Sequence, residues 1–247
     1  MKKIVEAVFK YLKETDKVLW GLCIFASVFG VAVQFGICKF FFSTNRNAIV
    51  QAGATVIGIV AAIVISKIDY RMMAKLWKIH VPLSWLLVLS TFFFGIQNGA
   101  ADDKAWILIP GTSLTLQPTE IAKISFIITF ALHLSTVRES LNELRTLVPV
   151  LIHAGLPVLL IHFQGDDGTA LVFAVIIVAM LFAAGLSWKY FAIAGGLALV
   201  ASPILWFYIM NYDQKMRILT IFNPELDPAG IGYQQYQGML SIGSGKL

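Results

Sequence analysis

A carboxylate and an ammonium stand three residues apart, Glu120 and Lys123, inside an apolar stretch that opens with Gln117-Pro118-Thr119. Pro118 suits the first position of a helix, where its missing N–H costs nothing. Glu120 then falls in the first turn, where the helix dipole favours a negative charge. Lys123 shares its face. An ionisable pair just inside a membrane helix is expensive unless it is paired or faces water, so it marks a cavity by default. A second polar stretch, Gln164-Gly165-Asp166-Asp167-Gly168-Thr169, lies between two later apolar runs. Its acids suit helix capping and its glycines a tight turn. Carboxylates gathered round one cavity could also hold a divalent cation or orient a hydroxyl. A third stretch runs from Asp213 to the end. It combines a short amphipathic piece from Arg217, the turn Asn223-Pro224-Glu225-Leu226-Asp227-Pro228, and glycines interleaved with Tyr233 and Tyr236.

The elements that must position these groups are set by composition. Of 247 residues, 58% are hydrophobic and 13% charged, and the mean hydropathy is +0.78. A soluble domain carries about twice that charged fraction, ~25%. Charge this sparse cannot coat a globule, so lipid is part of the solvent. The expected fold is all-α, a polytopic bundle with apolar runs at 18–38, 49–67, 79–97, 118–136, 148–163, 169–187 and 189–210, about seven spans. Residues 1–17 read as an amphipathic helix lying on the membrane, with Val5, Val8, Phe9 and Leu12 opposite a row of lysines. Residues 211–247 read as an ordered loop that folds onto the bundle.

Lys and Arg in alternate loops give the orientation. Lys2, Lys3, Lys10, Lys13, Lys17, Lys67, Arg71, Lys75, Lys78, Arg138, Arg145 and Lys189 fall on one side, against Lys39, Arg46, Lys104, Lys215, Arg217 and Lys246 on the other. The bias places the N-terminus in the cytoplasm of a bacterial-type cell, and with an odd number of spans residues 211–247 lie outside. The formal charge of +5 flanks apolar runs as lipid headgroups select, which argues against nucleic acid as a partner. Cys23 and Cys38 are too far apart along one helix to bridge. His80, His133, His153 and His162 lack metal-ligand spacing, and no P-loop, GxSxG, HExxH or dinucleotide fingerprint is present. No cleavable signal peptide is evident, since the first apolar run is long and follows a charged helix.

At the polar segments the sequence resembles the SEDS family, the RodA/FtsW/SpoVE-like proteins of shape, elongation, division and sporulation. Gln117 to Lys123 resembles that family's QPSE-x-AK motif, and Gln164 to Val172 its QPDLGTALV. Arg217 to Gly245 resembles its R-x-L-x-x-x-x-P-x-x-DP-x-G-x-GYQ…Q…IGSG block, and Asp69-Tyr70-Arg71 the end of its second span. Trp106 resembles its extracellular-loop Trp, although the residues before it, Gly99-Ala100-Ala101-Asp102-Asp103-Lys104-Ala105, depart from the family's GA-x-R-W. Gly165 replaces the motif's Pro and Asp167 its Leu.

The resemblance implies a multi-pass plasma-membrane peptidoglycan glycosyltransferase that polymerises lipid II at the outer face beside a class B penicillin-binding protein, releasing undecaprenyl diphosphate. It implies substrate-binding roles for Glu120, Lys123, Asp166, Trp106, Gln117 and Arg217. Lys123 and Arg217 would meet the phosphates, while Asp166 and Glu120 would shape the cavity or hold a cation. The family's usual catalytic carboxylate corresponds to a position beyond Leu247, so the expectation is a partial chain, with a complete but degenerate paralogue as the alternative, inactive alone in either case. A precursor flippase and a non-catalytic scaffold are the alternatives.

Overall fold

A computed structural model describes residues 15–41, 44–97, 104–112 and 114–245. The surface helix expected at 1–17 therefore lies almost wholly outside the described residues. The chain divides into two compact units, Met1–Pro82 and Leu83–Leu247.

In the first unit, helix α1 (Lys17–Phe41) is started by Asp16, whose Oδ1 accepts from the N–H of Val18 at 2.9 Å and Leu19 at 3.0 Å. Such capping satisfies donors that no earlier turn can reach. Helix α2 is Arg46–Ile65, and the short α3 (Tyr70–Lys75) is capped by Asp69, which accepts from Arg71 N–H at 2.9 Å. The Arg71 guanidinium lies over the Tyr70 ring and its pKa is raised, first by its contact with Tyr70 and then by Asp69. Most described residues of α1 and α2 are exposed, Val18, Phe25, Phe29 and Ile57 among them. An apolar helix pair that leaves most of its surface uncovered belongs in hydrocarbon, where its backbone is satisfied internally.

Helix α4 (Trp77–Phe94) carries Pro82, at the limit of the first unit. In the second unit a short antiparallel ribbon follows α4, with β1 (Ile107–Leu108) pairing β2 (Thr115–Leu116) in the register Ile107↔Leu116. Backbone pairing of Ile96 with Trp106 ties it to the end of α4. The all-α expectation did not include this ribbon. Gly95 sits at that junction, where an added Cβ would come within 2.1 Å of the Lys104 carbonyl oxygen and 2.3 Å of that of Thr91. Gly95→Ala is therefore expected to loosen the ribbon and lower the midpoint of thermal unfolding in detergent. Tryptophan emission from Trp106 is expected to report the loosening first.

Helices α5 (Pro118–Thr136), α6 (Leu144–Phe163) and α7 (Asp167–Ala183) form the core. Phe126 stacks on Phe130 with centroids 5.1 Å apart and meets Phe173 of α7 at 5.4 Å. Together with Val150, Ile161 and Leu181 these side chains are buried. The α6–α7 turn is closed by Gly165 at φ +91°, with Gly165 N–H donating to His162 O and Asp166 N–H to Ile161 O. This is a glycine-capped helix end. Proline, held near φ −65°, could not adopt this φ, so the turn made by Gly165 is one that the Pro of the family motif cannot copy. Gly185 ends α7 in the same way. There Asn142 binds the turn before α8 (Trp188–Ile204), accepting from Ser187 N–H at 2.7 Å, while the Tyr190 hydroxyl donates to Asn142 O at 2.7 Å. Past Pro203 the helix widens into a π-turn at Leu205–Ile209, a common response to proline. Helices α9 (Tyr212–Phe222) and α10 (Tyr233–Ser244) follow.

Every apolar run read from the sequence carries a helix, with ends within a few residues of those expected. Among the described residues five helices are long and apolar enough to cross a membrane: Lys17–Lys39, Arg46–Ile65, Trp77–Phe94, Leu144–Phe163 and Trp188–Ile209. The other two fall short for identifiable reasons. Glu120 and Lys123 dilute the first turns of α5, and α7 has only 17 residues.

Candidate functional site at the α5 and α7 N-termini

Gln117 is the residue before Pro118, held extended and making no cap bond to its own helix. That leaves its amide free to reach across to the α6–α7 turn, where Nε2 donates to Asp166 Oδ2 at 2.8 Å. The other carboxylate oxygen, Oδ1, accepts from Thr169 N–H at 2.9 Å and caps α7. Asp166 is buried, so both oxygens are occupied where water would otherwise be missed. One carboxylate thus locks the start of α7 to the start of α5.

Positions 117, 120 and 123 follow at intervals of three, which places them along one side of the first turns of α5. Lys123 Nζ donates to Glu120 Oε1 at 2.6 Å. The two ends of this pair differ, with the Glu120 side chain 57% exposed and that of Lys123 only 20%. Next to them, Thr119 is fully buried and its hydroxyl oxygen has no partner among the described residues. Gln164, buried at the C-cap of α6, donates through Nε2 to Thr91 Oγ1, which in turn donates to Val88 O at 2.7 Å. The Gln164 carbonyl oxygen is likewise buried without a partner among the described residues. Unpaired buried polar atoms are costly and few in native proteins. Two of them here leave unused hydrogen-bonding capacity, one in the first turn of α5 and one at the end of α6.

The expected grouping of Glu120, Lys123 and Asp166 resolves into two adjoining contacts, Gln117–Asp166 and Glu120–Lys123, along one helix end. Trp106 is half-buried in the ribbon and Arg217 is exposed on α9. Among the described residues no hydrogen bond or ion pair joins either side chain to the other four. Both Asp166 oxygens serve N–H donors, and the described residues hold no group of three His, Cys, Asp or Glu able to share an ion.

Thr91, Thr119 and Gln164 were not singled out in the sequence. Thr91 lies in an apolar helix without any motif, whereas Thr119 and Gln164 sit inside the two quoted motifs. The four histidines all have partners: His80 Nε2 with Met73 O at 3.0 Å, His133 with His153 at 3.0 Å, and His162 with Asp167 at 2.5 Å. Asp167 also accepts from Gln214 Nε2 of α9 at 2.7 Å.

Comparison with known proteins places this geometry in context. The family profile described as "Cell cycle protein", covering FtsW, RodA and SpoVE, matches residues 15–247. A protein of Geobacter metallireducens named "Probable peptidoglycan glycosyltransferase FtsW" is 31% identical over 96% of this chain and 64% of its own length. "Peptidoglycan glycosyltransferase MrdB" of Escherichia coli K12 is 32% identical over 80% of this chain and 52% of its own length. The chain thus spans less than two thirds of the length of these relatives. Among solved structures, a chain of a peptidoglycan synthase complex that coordinates polymerization and crosslinking superposes with a TM-score of 0.71 at 26% identity, over 92% of this chain and 66% of that one. A D255A mutant of the rod shape determining protein RodA of Thermus thermophilus gives 0.56 at 25% identity, over 73% and 59%. The match runs through all the helices that carry the polar segments, and this multi-pass membrane protein belongs to the FtsW/RodA/SpoVE family.

Proposed function

We propose that this protein acts as a peptidoglycan glycosyltransferase that extends glycan chains from lipid II at the outer face of the bacterial cell membrane, in elongation, division or sporulation. The observation that carries this reading is the row Gln117, Glu120 and Lys123 at the mouth of α5, locked to α7 through Asp166. The names of the Geobacter and Escherichia coli relatives support the same chemistry. In the proposed arrangement α5 and α7 cross the membrane with the five more apolar helices. The 19 residues of α5 make about 28 Å of helix, close to the thickness of the hydrocarbon layer. The Lys and Arg bias puts the N-terminus in the cytoplasm and the α5 mouth outside.

The reaction joins an acceptor sugar hydroxyl to the anomeric carbon of a lipid-linked glycan. The new C–O bond forms as the bond to the diphosphate breaks, undecaprenyl diphosphate leaves, and the hydroxyl proton passes to a base. Lys123 offers positive charge where the leaving diphosphate develops negative charge, an electrostatic stabilisation that is usually the largest single term in such catalysis. Arg217 on α9 is the second cation assigned to the phosphates, and Trp106 on the ribbon borders the sugar. Glu120 holds Lys123 in place, and Asp166 holds the helix start. Neither is assigned as the base, because each already accepts hydrogen bonds. The all-apolar groove of about 630 Å³ between α7 and α8, which starts at Leu171 one turn beyond Asp167, suits the isoprenoid tail. A class B penicillin-binding protein is the proposed partner, in keeping with the synthase complex that the fold resembles.

The test is polymerisation of lipid II by the full-length protein with that partner in proteoliposomes, with products resolved on gels. Glycan chains are the expected product. Transbilayer movement of lipid II without chains would replace this reading with that of a flippase, and neither outcome would leave a scaffold.

A further inference from the structure

Asp167 lies outside the proposed site, yet it is the only described residue whose side chain joins α6, α7 and α9. Its Oδ1 is 2.5 Å from His162 Nδ1, at the last turn of α6. Its Oδ2 accepts from Gln214 Nε2 at 2.7 Å, across 47 residues of chain. Gln214 is itself held at both ends: its backbone N–H donates to Asn211 Oδ1 at 2.8 Å and its Oε1 accepts from Asn211 N–H at 3.2 Å. The capping box that starts α9 is therefore bolted to a carboxylate at the start of α7. Hydrogen bonds to an ionised acceptor are about twice as strong as neutral ones.

Little else holds α9 down. Only Met216 and Thr220 are buried, while Ile221 and Phe222 are 65% and 83% exposed. The chain enters α9 through the extended Met210 and Asn211, directly after the π-turn, so α9 can swing when its first turn is released. Arg217 lies three residues beyond Gln214, on the same side of α9.

We propose that Asp167 is a positioning residue whose clasp on His162 and Gln214 fixes α9, and with it Arg217, against the α6–α7 end of the bundle. The functional half of the proposal rests on the polymerase reading, in which Arg217 meets the diphosphate. Asp167 touches no reacting atom. It sets where the cation stands, and a cation misplaced by about an ångström loses most of its effect on a transition state.

The test has two arms, both on the full-length protein in nanodiscs. In hydrogen–deuterium exchange, Asp167→Leu and Gln214→Ala are each expected to speed exchange of the amides at 212–222 about tenfold, as loss of one charge-assisted bond allows, while α6 and α7 stay unchanged. Asp167→Asn, which keeps an acceptor for Gln214, restores protection. In polymerisation, Asp167→Leu is expected to lower kcat/KM about tenfold, and adding Arg217→Ala to it costs no more than Arg217→Ala alone, as coupled residues behave. Unchanged α9 exchange in both variants overturns the clasp, and losses that multiply independently overturn its link to Arg217. A protein that makes no glycan yet shows the exchange response removes the polymerase reading and keeps the clasp.

Discussion

Asp166→Ala is expected to abolish most polymerisation and to destabilise the second unit, whereas Asp166→Asn is expected to do little of either. The alanine variant removes two bonds at once. Loss of the α7 cap costs about 1 kcal/mol. The Gln117 amide, left half-buried without its acceptor, adds about 1–3 kcal/mol. Together these should lower the denaturation midpoint clearly in a detergent titration. Activity should fall further, by about a hundredfold, because Gln117 is the fixed point from which the Glu120–Lys123 turn is built and small displacements of reacting groups are costly. Asparagine keeps Oδ1 for Thr169 N–H, and the Gln117 amide can turn to offer its own oxygen to the new Nδ2. An Asn variant as stable as the parent but as inactive as Ala would mean that the charge itself acts on substrate, and the positioning role given to Asp166 would be wrong.

Much of this arrangement could be read from residue types alone, because lipid solvent makes polar residues conspicuous. In an apolar run, Glu120 and Lys123 have no reason to be present unless they are paired, and they are. Pro118 as the first residue of α5 follows from the ring geometry of proline, and the helix begins there. What could not be read depends on contacts between distant segments. Gln117 to Asp166 spans 49 residues and Gln164 to Thr91 spans 73, and nothing in the local pattern of α4 marks Thr91 as different from any other small residue in a membrane helix. The ribbon at Trp106 was missed because its strands are two residues long, below what alternation can reveal. Asp166 and Asp167, adjacent in sequence, are drawn apart by the first turn of α7, one toward Gln117 and the other toward His162 and Gln214.

Lys123→Met is expected to cut the rate of glycan transfer by about a hundred- to a thousandfold, the loss usual when one fixed stabiliser of developing charge is removed. It should barely alter folding. Glu120 is 57% exposed, so once its partner is gone the carboxylate is solvated in place, and pairs of this kind contribute about 1 kcal/mol or less. The reverse substitution acts differently. Glu120→Gln leaves Lys123, only 20% exposed, short of a countercharge until the diphosphate arrives to supply one. Its expected signature is a smaller loss of rate, within about tenfold, with a slight loss of stability in the absence of substrate. Lys123→Arg keeps the charge but exchanges a compact ammonium for a planar fork, and it should recover part of the rate. The order Lys123→Met, then Lys123→Arg, then Glu120→Gln, from most to least damaged, therefore distinguishes a cation that meets substrate from an ion pair that merely caps a helix. A capping pair would tie the three variants together, with stability moving and the rate per folded molecule unchanged, and under that result the mouth of α5 would hold no phosphate.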